Sequence, residues 1–192
     1  MTIPPQPKCV ASEPWSWLSQ RVNIRTARPD ELPTLRSLEA AAGVLFRDIG
    51  MTEIAEHPPP SLEVFEVFRK AGGLWVIADS DDQSAGFVLI KLVDGVAHIE
   101  QVSVHPDHQG QGLGRALINH VESWAAEQGL SALTLSTFRS VPWNGPYYAR
   151  LGFHELPADE LTPGLVEIRD EESALGLNPA ERIFMRRAVA RQ

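Results

Sequence analysis

Residues 102–117 read Val-Ser-Val-His-Pro-Asp-His-Gln-Gly-Gln-Gly-Leu-Gly-Arg-Ala-Leu. Gly110, Gly112 and Gly114 stand between a stretch that alternates like a strand and one that repeats like a helix. Glycines in that position let the backbone approach a ligand closely and turn several N–H groups toward one point. The helix N-terminus adds its partial positive charge, so a phosphate or pyrophosphate is the expected guest. The stretch is not a Walker A loop, because no Gly-Lys-Ser/Thr follows. It also misses the dinucleotide fingerprint, since Arg115 stands where the spacing from Gly110 and Gly112 requires glycine. His105 and His108 flank Pro106-Asp107 with no further ligands at compatible positions, so no metal site is expected.

The elements that must position this loop follow from hydrophobic period and turn residues. Strands are expected over Val22–Ile24, Leu74–Ala78, Ala85–Val93 and Val96–Val104, with Asp94-Gly95 as a hairpin turn. Asp30 is a plausible cap for a helix carrying Leu32, Leu35, Leu38 and Ala42 on one face, and Gly43 is placed to stop it. Residues 44–59 read as irregular. Ser61 caps a second helix with Leu62, Phe65 and Phe68, ended by Gly72-Gly73. After the glycine turn, Leu113, Leu117, Val121 and Trp124 form the stripe of a long helix running to about Gln128, with Gly129 as its stop. The strand Leu133–Phe138 follows a helix and should lie parallel to Val96–Val104. A short helix near Pro146–Leu151, a strand near Phe153, an acidic helix over Glu167–Leu175 and a last strand Arg182–Val189 complete the order. The fold class is α/β, antiparallel in its first half with a central parallel pair. One domain over residues 21–190 is expected, preceded by a Pro-rich tail over 1–20 that Trp15 and Trp17 could anchor.

The chain has 192 residues, enough for one well-filled core. Seventeen Lys+Arg against 25 Asp+Glu give a net charge of −8, which repels a phosphate backbone and argues against a nucleic-acid partner. An arginine cluster, Arg182, Arg186, Arg187 and Arg191, is the local exception. The run Asp170, Glu171, Glu172 reads as a solvated helix face. No membrane span is expected. The single cysteine, Cys9, precludes an internal disulfide and suits a reducing cytoplasm.

The motif is specific enough to carry a family resemblance. Gln109-Gly-Gln-Gly112-Leu-Gly114 resembles the Gln/Arg-x-x-Gly-x-Gly/Ala signature of the GNAT N-acetyltransferase superfamily. Val104-x-Pro106 precedes it and Leu117 follows, as the family usually shows. Downstream, Asn144 and Tyr148-x-x-x-Gly152-Phe153 resemble the second family landmark, though Asn144 and Tyr148 are closer than in many members. The resemblance covers about residues 22–190 and is strongest over 98–153.

The resemblance implies a mixed sheet whose central parallel strands splay to admit acetyl-CoA as co-substrate. It implies main-chain contacts from Val102, Ser103 and Val104 to the pantetheine arm. The pyrophosphate would sit on the amides of Gln109, Gly110, Gln111, Gly112, Leu113 and Gly114, with Arg115 and Asn144 as further donor-side candidates. It implies direct transfer of acetyl to an amine. An alkylammonium has a pKa near ~10, so it must first lose a proton. Glu100 is the first candidate base, through water, and His98 the reserve. Period-two alternation puts both on one face with Val102 and Val104. Tyr148 is the candidate acid for the departing thiolate. Phe138, Arg139 and Trp143 are candidate acceptor contacts. The leading acceptor is a small primary amine. A protein α-amine or lysine, and a non-catalytic acyl-CoA-binding module, are the alternatives. A homodimer through the last strand is also expected.

Overall fold

The computed structural model describes residues 23–190; the tail expected over 1–20, with Cys9, Trp15 and Trp17, lies outside the described residues. Seven strands form one sheet in the order β1-β2-β3-β4-β5-β7-β6. They are β1 Asn23–Thr26, β2 Leu74–Ala78, β3 Ser84–Val93, β4 Val96–Val104, β5 Ala132–Phe138, β6 His154–Glu155 and β7 Arg182–Ala188. Every neighbouring pair is antiparallel except β4–β5, which is parallel, as the intervening helix requires. Asp94 (φ 48°) and Gly95 (φ 78°) close the β3–β4 hairpin, the pair of left-handed residues that a two-residue turn demands.

The helices are α1 Leu32–Gly43, α2 Thr52–Ala55, α3 Leu62–Lys70, α4 Leu113–Glu127, α5 Gly145–Arg150 and α6 Pro163–Ala174. They cover the sheet on both faces. On one face α4 buries Leu113, Leu117, Ile118, Val121 and Ala125 against Ile90, Ile99, Leu133 and Leu135. Trp124, expected in that stripe, sits at its margin against Trp75, with ring centroids 5.3 Å apart. On the other face α1 and α3 bury Leu35, Leu38 and Phe65 against Val76, Phe87 and Leu89. There α6 adds Leu165 and Ile168 against Phe184 and Leu156.

Several local expectations are corrected. Asp30 does not cap α1: it lies in a 3-10 turn, Pro29–Glu31, and Glu31 takes the cap position. Glu31 is buried because Arg25 and Arg28 neutralise it, the Arg25 pair at 2.7 Å. α1 ends at Gly43, as expected, but the chain does not leave the helical path there. The chain runs on into a 3-10 stretch, Val44–Ile49, and turns at Gly50 (φ 79°). The acidic helix starts at Pro163, not Glu167, since proline fits the first helical position. The last strand lies between β5 and β6 in the sheet order, so its backbone is not an open edge for a second copy.

Candidate active site

The β4–β5 pairing ends early. It joins Ala97 to Leu133, His98 to Thr134 and Ile99 to Leu135, and then stops. Beyond that point β5 pairs with β7, and β4 pairs only with β3. The two parallel strands therefore part at Ile99 and Leu135, leaving the Glu100–Val104 edge of β4 facing a wedge. The register of β3 against β4 also shifts there: Leu89 faces Gln101 and Ile90 faces Ile99, so Glu100 is an extra residue. Such a bulge bends its strand and disturbs the side-chain alternation.

The bulge corrects the expected face assignment. Ala97 and Ile99 pack with Val102 and Val104 on the α4 face. His98, Gln101 and Ser103 face the α1 side, beside their partners Lys91, Leu89 and Phe87. His98 therefore does not share a face with Val102 and Val104. It is buried, with Nδ1 3.0 Å from Thr134 Oγ1, and burial pushes its pKa down to about 3. A ring so weakly basic stays neutral and is a poor proton acceptor at neutral pH. Glu100 sits at the rim, paired at 2.8 Å with Lys91 Nζ.

The α4 side of the wedge is built mainly from backbone. A 3-10 turn, Pro106–His108, leads into the loop, and the His105 ring accepts the Asp107 N–H at 3.3 Å. Gly110 (φ 73°) and Gly112 (φ 78°) are left-handed, and Gly112 is the N-cap of α4. The first helical bond runs from the Ala116 N–H to the Gly112 carbonyl at 3.0 Å, so the earlier amides point down the axis toward the loop. The Leu113 side chain is core, which leaves its main chain to the loop. Arg115 is exposed beside Tyr147, and Gln111 Nε2 donates to the Asp107 carbonyl at 3.4 Å. This concave set of amides at a helix N-terminus fits a pyrophosphate, and the open β4 edge fits an amide-bearing arm.

Helix α5 closes the wedge from the same side. A Cβ on Gly145 would stand 2.6 Å from the Arg139 carbonyl, so only glycine lets α5 start against the end of β5. Asn144 is at the α5 N-cap position; its carbonyl accepts the Tyr148 N–H at 2.9 Å, and its side chain caps nothing. Tyr148 stacks edge-on to Phe153 and Tyr147, at 5.8 and 5.4 Å. Burial raises the pKa of its phenol, so it keeps its proton and remains a donor.

The opposite side is built from side chains. Phe46, from the stretch after α1, packs on Phe138 and Trp143 at 5.6 and 5.7 Å. Trp143 is 37% exposed, so the cluster shows an aromatic surface. Arg182 lies 4.7 Å over the Phe138 ring and donates to Glu172 at 2.5 Å and to Ser136 at 3.0 Å. Glu172 is thus a half-buried ion-pair partner and not part of a solvated run. Arg187 is likewise paired, with Glu122 at 2.9 Å, so among the described residues two of the expected arginine cluster are spent on carboxylates, and Arg191 lies outside the described residues. Arg139 turns away to Glu155 at 2.7 Å. Ser103, expected to serve the donor through its main chain, directs its hydroxyl to Glu39 of α1 in a short hydrogen bond, and Gln101 Nε2 reaches Ser103 at 3.4 Å. Glu39, Phe46, Glu172 and Arg182 were not singled out as site residues by sequence. The signal for Glu39 was present: it follows Leu35 by four residues, so it lies on the helix's apolar stripe.

Among the described residues no group of three or more His, Cys, Asp or Glu could hold a metal, and no helix is long and apolar enough to cross a membrane. A separate cavity of about 300 Å³ lies before the splay, lined by Asp94, Val96, Thr134, Leu156, Thr162 and Arg186 among others.

Known proteins resemble this chain in sequence and in fold. A [ribosomal protein bS18]-alanine N-acetyltransferase of Escherichia coli is 35% identical over 71 residues, 37% of this chain. The match spans 48% of that relative's length, so this chain covers about half of it. A peptidyl-lysine N-acetyltransferase of the same organism is 28% identical over 137 residues, 69% of this chain and 82% of that one. In solved structures, the fold matches an acetyltransferase of Staphylococcus aureus with a TM-score of 0.66 at 16% identity, covering 88% of this chain and 99% of that one. It matches an N-acetyltransferase of Thermoplasma acidophilum in complex with coenzyme A with a TM-score of 0.63 at 18% identity, covering 87% and 98%. The profile of the acetyltransferase (GNAT) family matches residues 39–153, from the α1 carboxylate through the glycine loop to Phe153, and the chain belongs to that family.

Proposed function

We propose that the chain, through a domain over residues 21–190, moves acetyl from acetyl-CoA to the nitrogen of a primary amine on a small molecule in the cytoplasm. The observation that carries this is the parting of β4 and β5 at Ile99 and Leu135, directly beside a glycine loop at a helix N-terminus. The donor supplies an acyl group activated as a thioester. The chain's own residues bind, orient and move protons. The amides of residues 109–114 hold the pyrophosphate, and the open edge at Val102 and Val104 aligns the arm as an added strand. An N–H near Val102 faces the thioester oxygen, where negative charge develops during attack. Glu100 takes the acceptor's proton through water, and the Tyr148 hydroxyl donates to the departing sulfur. The exposed Trp143, backed through Phe46 by the buried Phe138, lines the acceptor side.

A protein acceptor is the second reading, favoured by the relatives that acetylate a ribosomal-protein alanine and peptidyl lysines. The test is free-thiol release from acetyl-CoA with a panel of polyamines, arylalkylamines, amino acids, aminoglycosides and short peptides. Amine-dependent release by small amines supports the first reading, and release by peptides alone supports the second. Tight acetyl-CoA binding without release for any amine overturns both in favour of a binding module.

A further inference from the structure

Besides the neutral His98, two ion pairs and one further carboxyl stand near the wedge on the α1 side. Glu100 is held by Lys91 at 2.8 Å, and Glu172 by Arg182 at 2.5 Å. Arg182 in turn is spent on Glu172, Ser136 and the Phe138 ring. Glu39 differs. It projects from α1, half-buried, onto the part of β4 beyond the splay. Its partners there are neutral: the Ser103 hydroxyl donates to Oε2 and the Gln101 amide supports it. Among the described residues it has no cationic partner within ion-pair distance. A half-buried carboxylate without a counter-charge is costly, and Glu39 stands against the part of β4 that borders the wedge.

The same helical run continues, seven residues on, to Phe46, whose ring joins Phe138 and Trp143. One short segment thus presents a carboxylate and an aromatic wall. An alkylammonium carries its charge at neutral pH, matches an unpaired carboxylate, and can extend an apolar body over rings.

We infer that Glu39 is the acceptor-binding carboxylate, holding the ammonium of a primary amine whose flat apolar group packs on Phe46 and Trp143. This rests on the acetyltransferase reading and specifies its substrate class. Glu39 holds the charged amine beside Ser103 and Gln101 until its proton passes to the base; it is a specificity-determining residue, separate from Glu100. Burial raises the pKa of the Glu39 carboxyl, and an ammonium held beside it would lower it again. The Ser103 bond fixes the rotamer and orients Oε2.

The experiment compares 2-phenylethylamine, butylamine and spermidine as acceptors for the native protein and for Glu39→Gln, with free thiol as readout. Acetyl-CoA binding is measured by calorimetry in parallel. Glutamine keeps the shape and can still accept from Ser103, so the fold is retained, and a melting curve checks this. The native protein should prefer 2-phenylethylamine. In Glu39→Gln its KM should rise by about 10- to 100-fold, the range for losing a charge-assisted bond, with kcat within about threefold and acetyl-CoA affinity unchanged. Phe46→Ala should raise the KM for 2-phenylethylamine and leave that for butylamine near its native value. An unchanged amine KM in Glu39→Gln, with the native protein active, overturns this inference alone. A parallel loss of acetyl-CoA affinity or of melting temperature assigns Glu39 a structural role and overturns it too. No release from the native protein with any amine overturns the acetyltransferase reading with it.

Discussion

The two sides of the wedge are made of different materials. The α4 side is main chain: left-handed glycines at 110 and 112, the first amides of one helix, and a strand edge released by a bulge. These parts lie within about twenty consecutive residues. The α1 side is side chains: Glu39 and Phe46 from one segment, Gln101 and Ser103 from β4, Phe138 and Trp143 from the end of β5, and Glu172 and Arg182 from the far end of the chain. A backbone cradle offers N–H groups to a diphosphate, and it needs glycine more than any functional group. A side-chain wall reads a ligand that differs between proteins, and it needs particular groups from distant elements. The α4 side is therefore expected to tolerate change at its side chains and not at its φ angles, and the α1 side the opposite.

The largest expected effect falls where the two sides meet. Tyr148→Phe removes a hydroxyl that burial keeps protonated. It should lower kcat by about 100- to 10,000-fold, the range for losing a general acid, and leave acetyl-CoA affinity intact. A drop in affinity with unchanged kcat would make Tyr148 a packing residue. Next, Gly112→Val forces a β-branched residue into φ 78° at the α4 N-cap. The strain of about 1–3 kcal/mol should weaken acetyl-CoA binding by about 10- to 100-fold in calorimetry while the amine KM holds. Equal damage to both constants would break the division between the sides.

His98 sits at the closed root of the wedge, and its effect reads out in stability. Its pKa is about 3 in the folded chain, against about 6.5 when unfolded. As pH falls below about 6.5 the unfolded chain takes up a proton that the folded chain refuses. The contribution is therefore neutral above that window, and stability falls across it at up to about 1.4 kcal/mol per pH unit. Denaturant melts of His98→Gln between pH 7 and 4 should show a shallower acid slope; an identical slope would mean His98 titrates normally. The smallest effect is expected from Arg139→Ala. Both members of the Arg139–Glu155 pair are about half exposed, so stability should change by no more than about 0.5 kcal/mol in the same melts. A larger loss would tie the end of β5 to β6 more firmly than an exposed pair allows.

Legibility followed the same division. Strands β2 and β4 were readable to the residue, and α4 with its core stripe nearly so, because period and turn residues act over a few neighbours. The glycine loop was readable because positive φ has so few residues to choose from. The faces of β4 were not. Alternation predicts that His98 and Val102 agree, but the extra residue at Glu100 reverses one half of the strand against the other, and a bulge leaves no sign in period alone. Glu172 looked like one of three solvated carboxylates until β7 brought Arg182 to it. Glu39 looked like an ordinary helix glutamate until β4 placed Ser103 beneath it.

The amino-acid order by itself determined the elements, the parallel central pair and the backbone cradle, since each depends on local dihedral preference and on burial of one face. Only the tertiary structure decided which charges are paired, where the strands part and what lines the α1 side of the wedge. Those outcomes turn on distances between residues far apart in the chain, and they are set when helices from the two ends of the chain pack on the same face of the sheet.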